Sequence, residues 1–121
     1  MSFIGGQLVT GSIPYVNIDV DESEDEVFAG KGKLTGYFIS NLAASVMYVK
    51  LFDGTAADVT VGTTVPRYIF ALQPRTSAND HGLELEFFEG LTIAAVTGVR
   101  DDSTTGPGAN EVVVSFSYRP E

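Results

Sequence analysis

The chain predicts an all-β domain: a single antiparallel β-sandwich, jelly-roll-like, with about eight strands. Three observations lead there. Apolar residues alternate at period two in one stretch after another, the mark of strands with one buried face. No stretch of useful length carries a helical period. Clusters of Gly, Pro, Asn and Asp separate the alternating stretches at sandwich-like spacing. With 121 residues, the chain has the size of one domain and can bury one sizeable core.

The organising stretch is Lys33–Asp53, KLTGYFISNLAASVMYVKLFD. It reads as two strands joined by a short turn at Leu42–Ser45. In the second strand, Met47, Val49 and Leu51 share one face, and Tyr48, Lys50 and Phe52 share the other. In the first, Leu34, Gly36 and Phe38 share a face, while Tyr37 and Ile39 make the opposite face apolar too. A strand apolar on both sides is central in a sandwich or pressed against a partner.

The other elements follow in order. Residues 1–14, with Gly5, Gly6, Gly11 and Pro14, read as an arm ahead of a sandwich domain at 15–121, with a short strand at Gln7–Thr10. Tyr15–Val20 alternates, with Val16, Ile18 and Val20 on one face. Six acidic residues lie between Asp19 and Glu26, and Glu26–Ala29 forms a short strand after them. Asp53–Gly62 is a loop. Val65–Leu72 is a strand with Tyr68, Phe70 and Leu72 on one face, and Pro66 near its start fits a strand end or edge. Gln73–Gly82 is a polar turn region. Leu83–Phe88 places Leu85 and Phe87 inward and Glu84 and Glu86 outward. Leu91–Thr97 is a strand, Gly98–Asn110 the longest polar loop, and Glu111–Tyr118 the last strand, with Val112, Val114, Phe116 and Tyr118 on one face.

Composition excludes several functions. The chain has 7 basic and 16 acidic residues, a formal charge of −9. This argues against nucleic acid, which is bound through clustered Lys and Arg, and against an anionic membrane surface. There is no cysteine, so neither disulfides nor thiolate metal sites form. No segment has the length and apolarity of a membrane-spanning helix. The N-terminus lacks the basic start and apolar run of a signal peptide, so synthesis and assembly in a cytoplasm are expected. Hydrophobic residues make up 44% and charged ones 19%. That is apolar for a small β domain and points to an oligomer or a docked protein.

No residue set carries catalytic chemistry. His81 is the one histidine; a general base is conceivable, but it has neither a nucleophile nor a second His, and a solvated turn residue is the plainer reading. Asp19, Asp21, Ser23 and Asp25 imitate the odd-position ligands of a calcium loop. Position six, however, is Glu24 where that loop needs Gly, and position twelve is Gly30 where it needs a bidentate Glu. A solvated acidic edge fits better. Asp101 and Asp102 could pair with Glu84 or Glu86 as glycosidase carboxylates, but the two Glu alternate with core residues and read as a solvent-facing row. The aromatics read as core and interface packing. No cofactor is expected.

Several stretches resemble a family of small virion structural proteins of tailed phages and prophages. They are DESEDEVFAGKGKLTGYFISN at 21–41, YVKLFDGTAADVTVGTTVP at 48–66 and LTIAAVTGVRDDSTTGPGANEVVVSFSY at 91–118. The resemblance covers about residues 20–118; Leu83–Glu89 departs from it. It implies a non-enzymatic capsid decoration (cement) protein, a β-sandwich on the outer capsid surface that stabilises the head. The partners it implies are the major capsid protein and further copies of the chain, with a trimer favoured by analogy. A receptor- or glycan-binding head-fibre or tail module is the alternative. The arm is uncharged and partly apolar and cannot fold alone. Phe3, Ile4, Leu8 and Val9 of the arm, with Tyr37 and Ile39 of the two-sided strand, are therefore the expected partner-binding residues; the alternative is that Gln7–Thr10 pairs within its own sheet.

Overall fold

A computed structural model describes residues 2–4, 7–9 and 12–121, with side chains from Ser12 onward. It contains ten strands: β1 (Ser2–Ile4), β2 (Gln7–Val9), β3 (Ile13–Asn17), β4 (Asp25–Ala29), β5 (Gly32–Asn41), β6 (Met47–Asp53), β7 (Tyr68–Leu72), β8 (Thr76–Phe87), β9 (Gly90–Val96) and β10 (Val112–Pro120). All ladders are antiparallel. Eight strands make two four-stranded sheets, ordered β3-β10-β5-β8 and β4-β9-β6-β7. Successive strands from β3 to β10 mostly alternate between the two sheets. This order is the double Greek key of a jelly roll, and the all-β jelly-roll expectation holds. Among the described residues, β1 and β2 pair with each other and with no other strand. The side chains of Phe3, Ile4, Leu8 and Val9, and residue Thr10, lie outside the described residues.

The core fills the space between the sheets. One sheet contributes Leu34, Ile39, Phe87, Val112, Val114 and Phe116; the other contributes Met47, Val49, Leu51, Leu91, Ile93 and Ala95, all buried. Aromatic rings bridge the gap. Phe28 stacks on Tyr118 at 4.9 Å and meets Phe87 edge-on at 6.1 Å, and Tyr37 packs on Phe70 at 4.7 Å. Each such pair adds about 0.5–1.5 kcal/mol beyond its area.

The central stretch departs from a simple pair of strands. β5 and β6 belong to different sheets, so the turn at 42–45 crosses between layers. Buried Asn41 fixes that crossing. Its Nδ2 donates to the carbonyls of Ser45, Leu72 and Gln73, at 2.9, 3.1 and 3.2 Å, and its Oδ1 accepts from Ala43 N–H at 2.9 Å. An apolar residue there would strand several backbone groups at about 1–3 kcal/mol each.

A β-bulge corrects the predicted faces of β5. Opposite β10, Leu34 pairs with Tyr118 but Gly36 pairs with Ser117, leaving Thr35 as the extra residue. One extra residue reverses the phase of everything after it. Leu34, Tyr37, Ile39 and Asn41 therefore share the core side, and Phe38 points out.

Three further expectations are corrected. β3 starts at Ile13, so Ile13 and Pro14, assigned to the arm, belong to the sheet. Tyr15, which pairs with Phe116, faces inward, while Val16 and Ile18 are each 63% exposed. The chain bends after Asn17, and Val20 returns to the core with its N–H on Val112 O at 3.0 Å. The polar stretch 73–82 is mostly not a turn. Thr76–His81 continues β8 as an edge strand paired with β5, and its polarity reflects solvent on two sides.

Candidate interaction surfaces

The two sheets treat their outer faces differently. The outer face of β4-β9-β6-β7 is covered by the chain's own loops, 54–67 and 97–111. Phe52, Val59 and Ala94 form a small second core there, with Val61 against it. Small residues at Thr92 and Ala94 let the loops come close, and Thr92 Oγ1 donates to Gly54 O at 2.8 Å. The two loops meet where Gly62, at φ +95°, lies against Thr104. Lys50, predicted to face outward, does so but is only 1% exposed. Its Nζ donates to Arg100 O at 2.5 Å. Burial pushes the Lys50 pKa down, while Asp101 and Asp102 act to hold it up.

The outer face of β3-β10-β5-β8 has no such cover among the described residues. The register places Val16, Ser115, Phe38 and Asn79 in one row across it, and Pro14, Ser117, Gly36 and His81 in the next. Ser40, Ser77 and Val113 complete it on the other side of the first row. The charged outward residues of this sheet, Lys33, Glu84, Glu86 and Arg119, gather at one end. There Lys33 Nζ lies 3.5–4.0 Å from carboxylate oxygens of Glu84, Glu86 and Glu121. These contacts are partly solvated and worth little individually.

An open cleft lies beside that charged end, lined by Ser12, Thr35, His81, Gly82, Leu83, Glu84, Ser117 and Arg119. A hydroxyl chain runs along it, Ser12 Oγ to Thr35 Oγ1 at 2.8 Å and on to Ser117 Oγ at 3.0 Å. Gly36 keeps the floor low: a Cβ there would stand 2.8 Å from Ser117 Oγ and 3.0 Å from His81 Nδ1. His81 is exposed, and its N–H donates to Asp80 Oδ1 at 2.8 Å.

The acidic run serves mainly as a set of local acceptors. Asp19 Oδ1 accepts from Asn110 N–H at 2.8 Å, Asp21 Oδ1 from Ser23 N–H at 2.9 Å, and Glu26 Oε1 from Ala56 N–H at 3.1 Å. These bonds tie β3, β4 and both covering loops together at one end of the sandwich. Among the described residues, no three carboxylate or imidazole groups converge on a cation position.

Asp25 stands apart within the run. Burial raises its pKa; the hydrogen bond from Asn17 Nδ2, at 3.0 Å, lowers it, and Asp21, Asp19 and Glu24 raise it. A carboxyl whose folded pKa lies above its unfolded one favours the folded state below the unfolded value and loses that advantage as pH rises through the folded pKa. Asp25→Asn is therefore expected to melt above the parent at pH 7, with the gap closing below about pH 3.8, the ordinary Asp value. Melting curves across pH 3–8 check this; a lower melting temperature for Asp25→Asn at pH 7 would contradict it.

Of the residues expected to bind a partner, Ile39 is fully buried in its own core and offers no surface. Tyr37 is half-buried against Phe70. The apolarity of β5 on both sides reflects a central strand with a bulge. What it does present outward is Phe38, 38% exposed. The uncovered face as a whole is not legible from the chain, because the first half of β8, Thr76–Gly82, reads as a turn and the alternation of β3 gives the wrong phase. One signal was present: Val113, Ser115 and Ser117 alternate with the core residues of β10 without a charge.

No protein-family model matches the chain, and no curated protein matches it. Among solved structures, the coat protein of Tobacco streak virus is similar at 12% identity and a TM-score of 0.38, over 95% of this chain and 90% of that one. A likeness this distant leaves the strand order itself as the ground for the fold.

Proposed function

We propose that this chain is a bacteriophage virion structural protein, a non-enzymatic capsid decoration (cement) protein that binds the outer capsid surface, where the major capsid protein is its partner, and stabilises the head. The observation that carries this reading is the asymmetry of the sandwich: one sheet is sealed by the chain's own loops, and the other, among the described residues, presents an uncovered outer face whose charges are confined to one end. A rigid jelly roll with one free face suits a clamp between subunits. The resemblance over residues 20–118 supports the same role, and fold alone would not, since jelly rolls host many functions. The charge of −9 keeps the protein from packaged DNA and suits contact with basic patches on a shell.

In this reading the protein works as a homo-oligomer, and the N-terminal arm supplies much of the attachment. Added as a strand to a neighbour's sheet edge, an uncharged apolar segment has its backbone paired and its side chains covered. Deleting residues 2–11 is expected to leave the melting temperature of the isolated protein within about 2 °C, because in this reading the arm acts outside the sandwich, and ordinary surface changes stay within about 0.5 kcal/mol. The same deletion is expected to abolish re-binding to source particles depleted of the protein, read by co-sedimentation. Particles re-bound by the intact chain should also resist heat better than depleted ones. A large drop in melting temperature with re-binding intact would place the arm inside the fold and overturn its role.

A second reading, a receptor- or glycan-binding module, is favoured by the cleft with its hydroxyl chain, His81, Glu84 and Arg119. Retention on a glycan array, lost on Arg119→Ala, would support that reading over attachment to a shell.

A further inference from the structure

We infer that the bare outer face of the β3-β10-β5-β8 sheet is a self-association surface that pairs with the same face of a second copy about a twofold axis. This extends the homo-oligomer reading above, with a pair in place of the trimer expected by analogy. It does not depend on attachment to a shell.

Charge selects the occupant. Each copy carries −9, so two copies repel through almost any surface. On this face, Val16, Phe38, Asn79, Val113, Ser115 and Ser117 carry no charge, and His81, on the edge strand, is the one titratable residue in these rows. A basic partner gains nothing there and would be drawn to the acidic end at 19–26. A second copy meets least repulsion there, and like charges facing each other elsewhere are what wrong pairings incur.

Shape favours the same partner. Ser115 is paired to Val16 on one side and Phe38 on the other. Val16 and Phe38 are 63% and 38% exposed. They form ridges on either side of a trough at Ser115, while Ser117 is flanked by Pro14 and Gly36. A twofold axis offset between β10 and β5 sets the Phe38 ridge of each copy against Ser115 of the other, the self-complementary arrangement an isologous contact needs. Strand-bearing faces pack at about 10 Å, which small residues at the trough permit.

The area sets the strength. Four strands about 4.8 Å apart and five residues of about 3.3 Å give roughly 300 Å² per copy, or roughly 600 Å² in total. That is below the roughly 1,200 Å² of a stable complex, so the pairing is weak and concentration-dependent. High local concentration, as on a surface carrying many copies, would populate it.

Sedimentation velocity of the full chain from 10 μM to 1 mM tests this. The parent is expected to shift toward dimer across that range, and more so in 0.5 M NaCl, because salt screens the repulsion between the charged flanks. Ser115→Arg puts two like charges face to face in the trough and is expected to weaken the dimer at least tenfold. Val65→Arg, at a residue 70% exposed and off this face, should associate like the parent. Melting temperatures of both variants near that of the parent exclude misfolding. A parent that stays monomeric at 1 mM in high salt overturns the inference, as does a Ser115→Arg variant that associates as the parent does. If the parent stays monomeric while Ser115→Arg blocks re-binding to depleted particles, the face belongs to the shell protein. If only deletion of residues 2–11 abolishes association, the arm is the contact. Both results also overturn the self-pairing.

Discussion

Phe116→Ala is expected to lower the unfolding free energy by about 3–5 kcal/mol. Phe116 sits on the inner side of β10, 2% exposed, between Tyr15 of β3 and Tyr37 of β5 in the ladder. Its ring lies 6.3 Å from that of Tyr15. β10 is a central strand, so the lost volume cannot be refilled from solvent without breaking pairing on both sides. Single domains are stable by only about 5–15 kcal/mol, so this change removes a large share. Chemical denaturation should show a lower midpoint with an unchanged slope. Val49→Ala, at a fully buried position on β6, should shift the midpoint the same way by less. A midpoint within error of the parent for both would mean that these faces do not form the core.

Lys50→Glu is expected to cost a similar amount, about 3–5 kcal/mol, the range for leaving a buried charge uncompensated. The carboxylate would lie beneath the 97–111 loop, face the Arg100 carbonyl as a second acceptor, and sit near Asp101 and Asp102. Lys50→Met keeps the length and apolar stem and removes the burial penalty, so it should lie within about 1 kcal/mol of the parent. The contrast separates charge from packing. If both variants unfold like the parent, the loop does not seal that face. The asymmetry of the two sheets, on which the functional reading rests, would then be lost.

Much of the sandwich was readable from alternation alone. Met47, Val49 and Leu51 of β6, and Val112, Val114 and Phe116 of β10, lie where their spacing puts them. The failures have local physical causes. Thr35 inserts one residue into β5, and no composition rule announces a bulge, so Phe38 and Ile39 exchanged sides. β8 is an edge strand whose polar residues look like a turn, because an edge meets solvent on two sides. Val16 and Ile18 are apolar yet exposed, and apolarity alone could not say so. The exposure of Val16 belongs to the same face that the bulge gives Phe38. Lys50 faces outward as its spacing predicts, but its burial depends on a loop from fifty residues away. That is tertiary information.

The most direct test of the central claim is electron microscopy of the source particle, with and without this protein. Density of one small sandwich per copy is expected on the outside of the head, absent from particles lacking the protein and restored by adding it back. Density confined to the tail, or none on the particle at all, would contradict it.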